Sequence, residues 1–375
     1  MFRKILRILL KTLLILSIPA VIAGCQLLQT IGDMPDQEAT MRYERLPYYR
    51  DGYFRAAEEL PFYPDRITGS GPKSWWRFLL ANPNKPDLPL PLVTLTASPF
   101  AAPSSELAFY WLGHSSLIVE LEGLRFLVDP VLGNAAPLPG VVRRYAEAPI
   151  RREDLPPIDY VLITHDHYDH LEYATIRALR ERNETRFIAP YGVGMHLRKW
   201  GIPAERILEI GWGETTQAGN IGVISEETLH FSGRTFNRRN TTLWTAYVLK
   251  GQKYRLFISG DTGYGKHFKE IGARHGPFHL AFLEIDAWNP GWPKTHLFPE
   301  EVIRAYHDLD AQTLIPVHWG VFDLGRHPWD ESIRLIHTLV KQDGNICLLT
   351  PKMGEKVIPG ETPTTEWWNL ADGNY

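Results

Sequence analysis

Thr164-His165-Asp166-His167-Tyr168-Asp169-His170 follows directly on the apolar run Tyr160-Val161-Leu162-Ile163. Three imidazoles and two carboxylates therefore stand where a buried strand ends and a loop begins. Imidazole nitrogen and carboxylate oxygen are ligands that zinc favours. Alternate residues of an extended segment share a face, so His165 and His167 can point the same way. Asp169 and His170, just beyond, can turn toward a second metal. Two metals about 3.5–4 Å apart can share a water and clamp a displacement, and such a pair needs further ligands from elsewhere in the chain.

Those ligands are sought among polar residues at the ends of apolar strands. His230 ends Thr228-Leu229-His230, and His318 follows Thr313-Leu314-Ile315-Pro316-Val317. Asp261 follows Leu256-Phe257-Ile258-Ser259-Gly260, where Gly260 and Gly263 permit a tight turn. All three positions suit one edge of a pair of sheets. Apolar patterning predicts strands over Leu107-Leu112, Ser116-Leu121, Arg125-Val128, Asp159-Ile163, Phe187-Ile188, Ile221-Ile224, Leu243-Leu249, Tyr254-Ile258, Leu280-Glu284, Leu314-Val317 and Ile346-Leu349. Helices are predicted over Leu171-Arg182, Tyr264-Arg274, Pro299-Leu309 and Trp329-Val340. Pro299 followed by two glutamates is a good helix start. Strand-rich halves with accompanying helices predict an α/β (α+β) architecture of two packed mixed sheets with helices outside.

His-x-His-x-Asp-His, then His230, Asp261 and His318, resembles the metallo-β-lactamase superfamily in full and in order. The resemblance implies an αββα sandwich and two Zn2+ per chain. It implies that His165, His167 and His230 hold one metal, that Asp169, His170 and His318 hold the other, and that Asp261 bridges them. Position 167 is His rather than the Glu of the superfamily's di-iron branch, which favours zinc hydrolysis. The bridging Asp261, in place of the Cys of the best-known zinc β-lactamases, turns the expectation toward phosphodiesterase, lactonase or thioesterase chemistry.

Further stretches resemble the N-acyl-phosphatidylethanolamine-hydrolysing phospholipase D branch: Trp111-Leu112-Gly113-His114-Ser115-Ser116, Phe126-Leu127-Val128-Asp129-Pro130, Gly260-Asp261-Thr262-Gly263-Tyr264 and Val317-His318-Trp319-Gly320. His296, in Thr295-His296-Leu297-Phe298-Pro299-Glu300-Glu301, matches that branch's non-ligand active-site histidine. The departures are Asp166, where the branch has Asn, and Ser115-Ser116. The resemblance implies a phospholipase D-type dizinc phosphodiesterase using a bridging hydroxide, with Asp169, Asp261 and His296 at the chemistry and a membrane lipid or lipid-derived phosphodiester as substrate. A lactonase acting on a sugar-phosphate-like lactone, or a tethered metal-binding scaffold without turnover, are the alternatives. His114 and Asp129 are expected to orient ligands. Arg234, four residues past His230, is a candidate phosphate contact, set against an ordinary solvated arginine. The other histidines match no ligand motif and are expected to be structural or surface residues.

At the start of the chain, Arg3, Lys4, Arg7 and Lys11 precede an apolar stretch from Leu13 to Ala23, and Ile22-Ala23-Gly24-Cys25 follows. This resembles a bacterial lipoprotein signal, with residues 1–24 removed and Cys25 lipidated. Gln26 after that cysteine resembles an outer-membrane sorting signal, so the body is expected to be exported, membrane-anchored and facing the periplasm. Residues 25–105, rich in Pro and aromatics, read as a wrapping extension with a helix near Lys73-Leu80. The hydrolase domain is expected over 106–358, followed by a tail over 359–375. A composition of 44% hydrophobic and 22% charged residues is globular, and a formal net charge of −3 argues against a nucleic-acid partner. With only two cysteines, one of them Cys25, no disulfide framework is expected, and Cys347 reads as a small core residue.

Overall fold

Leu107–Gly113, Ser116–Leu121 and Leu280–Glu284 are buried along their whole length. A strand apolar on both faces must be covered on both faces, by another sheet on one side and by helices on the other. The computed structural model describes residues 24, 27–58, 60, 84–96, 102–137 and 140–369. A short hairpin, β1 (Tyr49–Arg50) and β2 (Tyr53–Phe54), follows helix α1 (Gln37–Tyr43).

The first large sheet contains β3 (Leu107–Gly113), β4 (Ser116–Leu121), β5 (Leu124–Val128), β6 (Tyr160–Leu162), β7 (Arg186–Pro190) and β8 (Ile207–Ile210) in that order. The second runs through β9 (Thr215–Ala218), β10 (Ile221–Glu226), β11 (Ala246–Lys250), β12 (Arg255–Ile258), β13 (Leu280–Glu284), β14 (Thr313–Val317) and β15 (Cys347–Leu348). A late strand, β16 (Lys356–Val357), returns to the first sheet outside β3. In both sheets an antiparallel part passes into a parallel part, from β5 to β8 and from β12 to β15.

Helices α2 (Tyr173–Leu179) and α3 (Val193–Lys199) cover the outer face of the first sheet, where Ile176, Leu179, Val193 and Leu197 join Ile118, Leu127 and Val161. Helices α4 (His267–His275), α5 (Pro299–Asp308) and α6 (Glu331–Asp343) bring Phe268, Val302, Ala305, Ile333 and Ile336 to the second. Phe109 meets Phe282 edge-on between the sheets, with ring centroids 5.1 Å apart. The αββα sandwich expected from the sequence is the architecture observed. At α5 the backbone N–H of Phe298 donates to the Glu301 carboxylate at 3.0 Å, so the Pro-Glu-Glu start caps itself.

Strand direction decides where the site lies. β3, β5 and β6 run the same way, and so do β10, β12, β13 and β14. Their C-terminal ends release His114, Asp129, the 164–170 segment, His230, Asp261, Glu284 and His318. The two sheets are joined at this edge by paired backbone bonds: His318 N–H donates to His114 O at 2.9 Å, and His114 N–H to Trp319 O at 3.2 Å.

Three expectations need correction. Cys347 is exposed, because β15 is a two-residue edge strand that buries only Leu348. The boundary at 358 falls too early: Trp367 and Trp368 are buried, and Trp367 stacks on Trp319, which stacks on Trp111. The helical pattern from Leu171 is shorter than expected, ending at Leu179. Part of the expected extension is described and packs on the body. Tyr43, Tyr49 and Phe54 pack with Tyr191, Leu243 and Trp244. Cys25, Gln26 and the helix expected near Lys73-Leu80 lie outside the described residues. Among the described residues, no helix is long and apolar enough to cross a membrane.

Candidate metal centre

β6 delivers the ligand-rich loop in a conformation set by buried hydrogen bonds. Asp129, at the end of β5, accepts from Thr164 N–H at 2.8 Å and from the Thr164 hydroxyl at 2.6 Å. Its Oδ2 also lies 2.8 Å from His170 Nδ1. Asp166 points away from the site, accepting from Gly233 N–H at 2.6 Å and pairing with His196 Nε2 at 3.2 Å. The turn before Asp261 needs glycine: Gly260 has φ +56°, and a Cβ there would lie 2.9 Å from Thr245 O. His114, Asp129 and His318 also adopt positive φ (52°, 39° and 66°), a costly backbone state for residues with side chains.

The side chains fall into two groups that share Asp261. In the first, His165 Nε2 and His167 Nδ1 are 2.8 Å apart, and His230 Nε2 is 3.3 Å from His167 Nδ1. Asp261 Oδ2 completes it, 3.7 Å from His165 Nε2 and 3.5 Å from His230 Nε2. In the second, Asp261 Oδ1 lies 3.0 Å from His170 Nε2 and 3.2 Å from His318 Nε2. Asp169 Oδ2 closes that group, 3.7 Å from His170 Nε2 and 3.5 Å from His318 Nε2. Ligands about 2.0–2.1 Å from a tetrahedral ion stand about 3.4 Å from one another, so both groups have the spacing of a first coordination shell.

Unmatched polar atoms point to the same centre. His170 Nε2, Asp261 Oδ1 and His318 Nε2 are buried and make no satisfactory hydrogen bond. Buried polar atoms without partners are costly, and an ion at their meeting point would satisfy all three. The two groups also differ electrically. Burial and the neighbouring imidazoles push His165 and His230 well below the usual histidine range, leaving them neutral and able to bind a cation. Burial would lower His318 too, but Asp261 and Asp169 outweigh it and raise it to about 10. His170 is likewise raised well above its ordinary value against burial, by Asp261, Asp169 and Asp129.

The structure thus brings together His165, His167, Asp169, His170, His230, Asp261 and His318. His114 stands beside them, with Nε2 2.9 Å from Asp169 Oδ2, and Asp129 orients His170. His296 borders both groups, its ring centroid 5.2 Å from those of His230 and His318. Arg234 is a correction. Its guanidinium is buried and donates to Asp166 O, Leu171 O and Thr30 O, so it holds backbone rather than facing a phosphate or solvent. Sequence reading missed Glu284, which is fully buried beside His296. Its signal was a carboxylate closing the apolar run Leu280-Ala281-Phe282-Leu283 at the ligand-bearing edge. The Asp166–His196 pair was also missed, and no spacing announces it.

Asp129→Asn is expected to weaken metal binding by about 10–100-fold, the usual effect of losing a carboxylate that orients a ligand histidine. The amide can keep its oxygen on Thr164 N–H but then turns an NH2 toward His170 Nδ1, which drives the ring proton onto the ligand atom Nε2. A competition titration with a fluorescent zinc chelator would measure the loss, and unchanged affinity would remove Asp129 from this role.

Residues 124–319 match the beta-lactamase superfamily domain. An uncharacterised protein of Mycobacterium tuberculosis is 38% identical over 335 residues, covering 87% of this chain and 88% of the relative. N-acyl-phosphatidylethanolamine-hydrolyzing phospholipase D 1 of Caenorhabditis elegans is 32% identical over 252 residues, covering 64% of this chain and 70% of that protein. Among solved structures, Igni18, a metallo hydrolase from Ignicoccus hospitalis, superposes with a TM-score of 0.53 at 19% identity, over 67% of this chain and 97% of that one. The chain belongs to the metallo-β-lactamase superfamily, as a metal-dependent hydrolase.

Proposed function

We propose that this protein is a dizinc phosphodiesterase that cleaves a phospholipid in the manner of a phospholipase D. The observation that carries the reading is Asp261, whose two oxygens each face a separate cluster of imidazoles. Relatedness to the nematode phospholipase D supports the choice of substrate class. The nitrogen and oxygen donor set suits zinc. Bound at the two clusters, zinc ions would supply Lewis acidity and an activated water for in-line attack on phosphorus.

The chain's own groups do the rest. Asp129 and Thr295 O engage the outer nitrogens of His170 and His230, keeping the inner ones directed at the centre. His114 restrains Asp169. His296 lies beside Asp261, Glu284 and His318, where it can give a proton to a leaving alcohol. The lipid anchor expected at Cys25 would keep such an enzyme beside its substrate.

Elemental analysis of the purified protein, followed by assay on N-acyl-phosphatidylethanolamine, tests the reading. About two zincs per chain with release of phosphatidic acid is the expected result. Full zinc with turnover of lactones and no phosphodiester would replace it with the lactonase alternative, and full zinc with no ester turnover would favour the scaffold.

Zinc affinity should rise with pH. In the metal-free protein, protons held on His170 and His318 compete with the ion, and their raised values keep them there through neutral pH. Displacing one proton makes affinity grow about tenfold per pH unit, and displacing two makes it steeper. Calorimetric titrations at pH 6 and 8, in buffers of different ionisation enthalpy, would count the protons. A flat profile would contradict this account of the second cluster.

A further inference from the structure

Glu284 closes β13, and its carboxylate has no exposed surface. Its two oxygens have separate tasks. Oε1 accepts from the backbone N–H of Thr262 at 2.8 Å, one residue past Asp261, and more weakly from Leu297 N–H at 3.4 Å. Oε2 lies 2.6 Å from His296 Nδ1. With Nδ1 engaged by Glu284, Nε2 is the ring atom left to meet a substrate. It makes no hydrogen bond among the described residues, and the side chain keeps 11% of its surface exposed.

We propose that Glu284 is the positioning residue for His296. By accepting the Nδ1 proton it fixes the plane and proton placement of the ring, so that Nε2 is presented to the leaving oxygen. This rests on the phosphodiesterase reading above. In the step itself the oxygen of an attacking hydroxide bonds to phosphorus, the P–O bond to the alcohol breaks with its electron pair staying on the alcohol oxygen, and Nε2–H passes its proton to that oxygen. The ring is left carrying Nδ1–H on Glu284 and regains its second proton from water.

Glu284→Gln separates positioning from simple support, because an amide has one accepting oxygen where the carboxylate has two. With that oxygen kept by Thr262 N–H, the NH2 group faces the ring, which must then accept at Nδ1 and carry its proton on Nε2. In zinc-loaded protein labelled with 15N-histidine, long-range 1H–15N spectra should show Nδ1 of His296 protonated in the wild type and unprotonated in Glu284→Gln. The signals are assigned by their loss in His296→Gln. Kinetics supply an independent readout. N-acyl-phosphatidylethanolamine expels an alkyl alcohol that needs a proton, whereas bis(4-nitrophenyl) phosphate expels a stable phenolate. For Glu284→Gln, kcat should fall by about 100-fold or more on the lipid and by less than about 10-fold on the nitrophenyl ester, with KM and zinc content unchanged. His296→Gln should show the same split, and the double variant no further loss.

An unprotonated Nδ1 in the wild type, or the same proton placement in both proteins, would overturn the proposal. So would an equal loss on both substrates accompanied by loss of zinc, which would make Glu284 a support for His318, whose Nδ1 is 3.9 Å from Oε2. If the wild type cleaves no phosphodiester, the phosphodiesterase reading fails by itself. The spectra then decide the Glu284–His296 pairing alone, with a retained Nδ1 proton in Glu284→Gln counting against it.

Discussion

Asp261→Ala should reduce hydrolysis by more than about 1000-fold, a loss of roughly 4 kcal/mol of transition-state stabilisation at 1.36 kcal/mol per tenfold. The size of the effect follows from the position of the side chain. Oδ1 stands between His170 and His318, and Oδ2 faces His165 and His230, so one truncation removes a ligand from both clusters. It also removes a negative charge from a buried space crowded with imidazoles, where it would favour the binding of cations. Metal content should fall together with activity. Asp261→Asn is the informative companion: its single good acceptor oxygen can serve one cluster, so about one zinc per chain should remain. Activity within tenfold of wild type, with full metal, would show that Asp261 does not bridge.

Glu120→Ala should destabilise the fold by about 3–5 kcal/mol, the cost of stranding a buried charge. Arg125 donates from Nε and Nη2 to Glu120 Oε1 at 2.9 and 2.7 Å, with both side chains almost entirely buried between β4 and β5. The guanidinium also reaches Pro157 O at 2.9 Å, and the Arg125 backbone N–H donates to Asp159 at 2.7 Å. This network sits at the start of β5 and β6, the edge opposite the ligands. Zinc stoichiometry in the folded protein should therefore be unaffected while the denaturation midpoint drops. Replacing both partners by methionine should recover most of the loss, since the pair's removal leaves no unmatched charge. Chemical denaturation of the single and double variants would test this, and a single variant as stable as wild type would refute it.

Strand placement was legible in most long apolar runs, although the strand read over Leu243-Leu249 forms over Ala246–Lys250 and Ile207–Ile210 was not read. Ser116–Leu121 and Leu280–Glu284 fall where their patterning puts them, because full burial leaves an unbroken apolar signature. β9 and β16 gave none. Thr215–Ala218 is a largely polar edge strand, and Lys356–Val357 is held by its pairing with β3 rather than by its own composition. Helix α3, Val193-Gly-Met-His-Leu-Arg-Lys199, is short and carries a glycine, so its packing against β7 and β8 decides its conformation. The clustered ligands were legible because imidazole and carboxylate at strand ends have few other uses. Groups that act one step away were less so. Asp166 lies within the most conspicuous stretch of the chain yet faces His196, and Arg234 lies near His230 yet spends its donors on carbonyls. Such roles depend on which way a side chain turns, and sequence distance carries no record of that.

Arg234 also sets a mechanical relation between the beginning of the described chain and its chemistry. Its guanidinium grips Thr30 O on one side and Asp166 O and Leu171 O on the other. Around it, Trp200 holds Gln29 O, and Lys199 holds Gly32 O. A pull applied through the residues before this segment would run along those carbonyl contacts into the loop that carries His165 through His170. Tension would reach the loop that carries the clustered imidazoles before it reached either sheet.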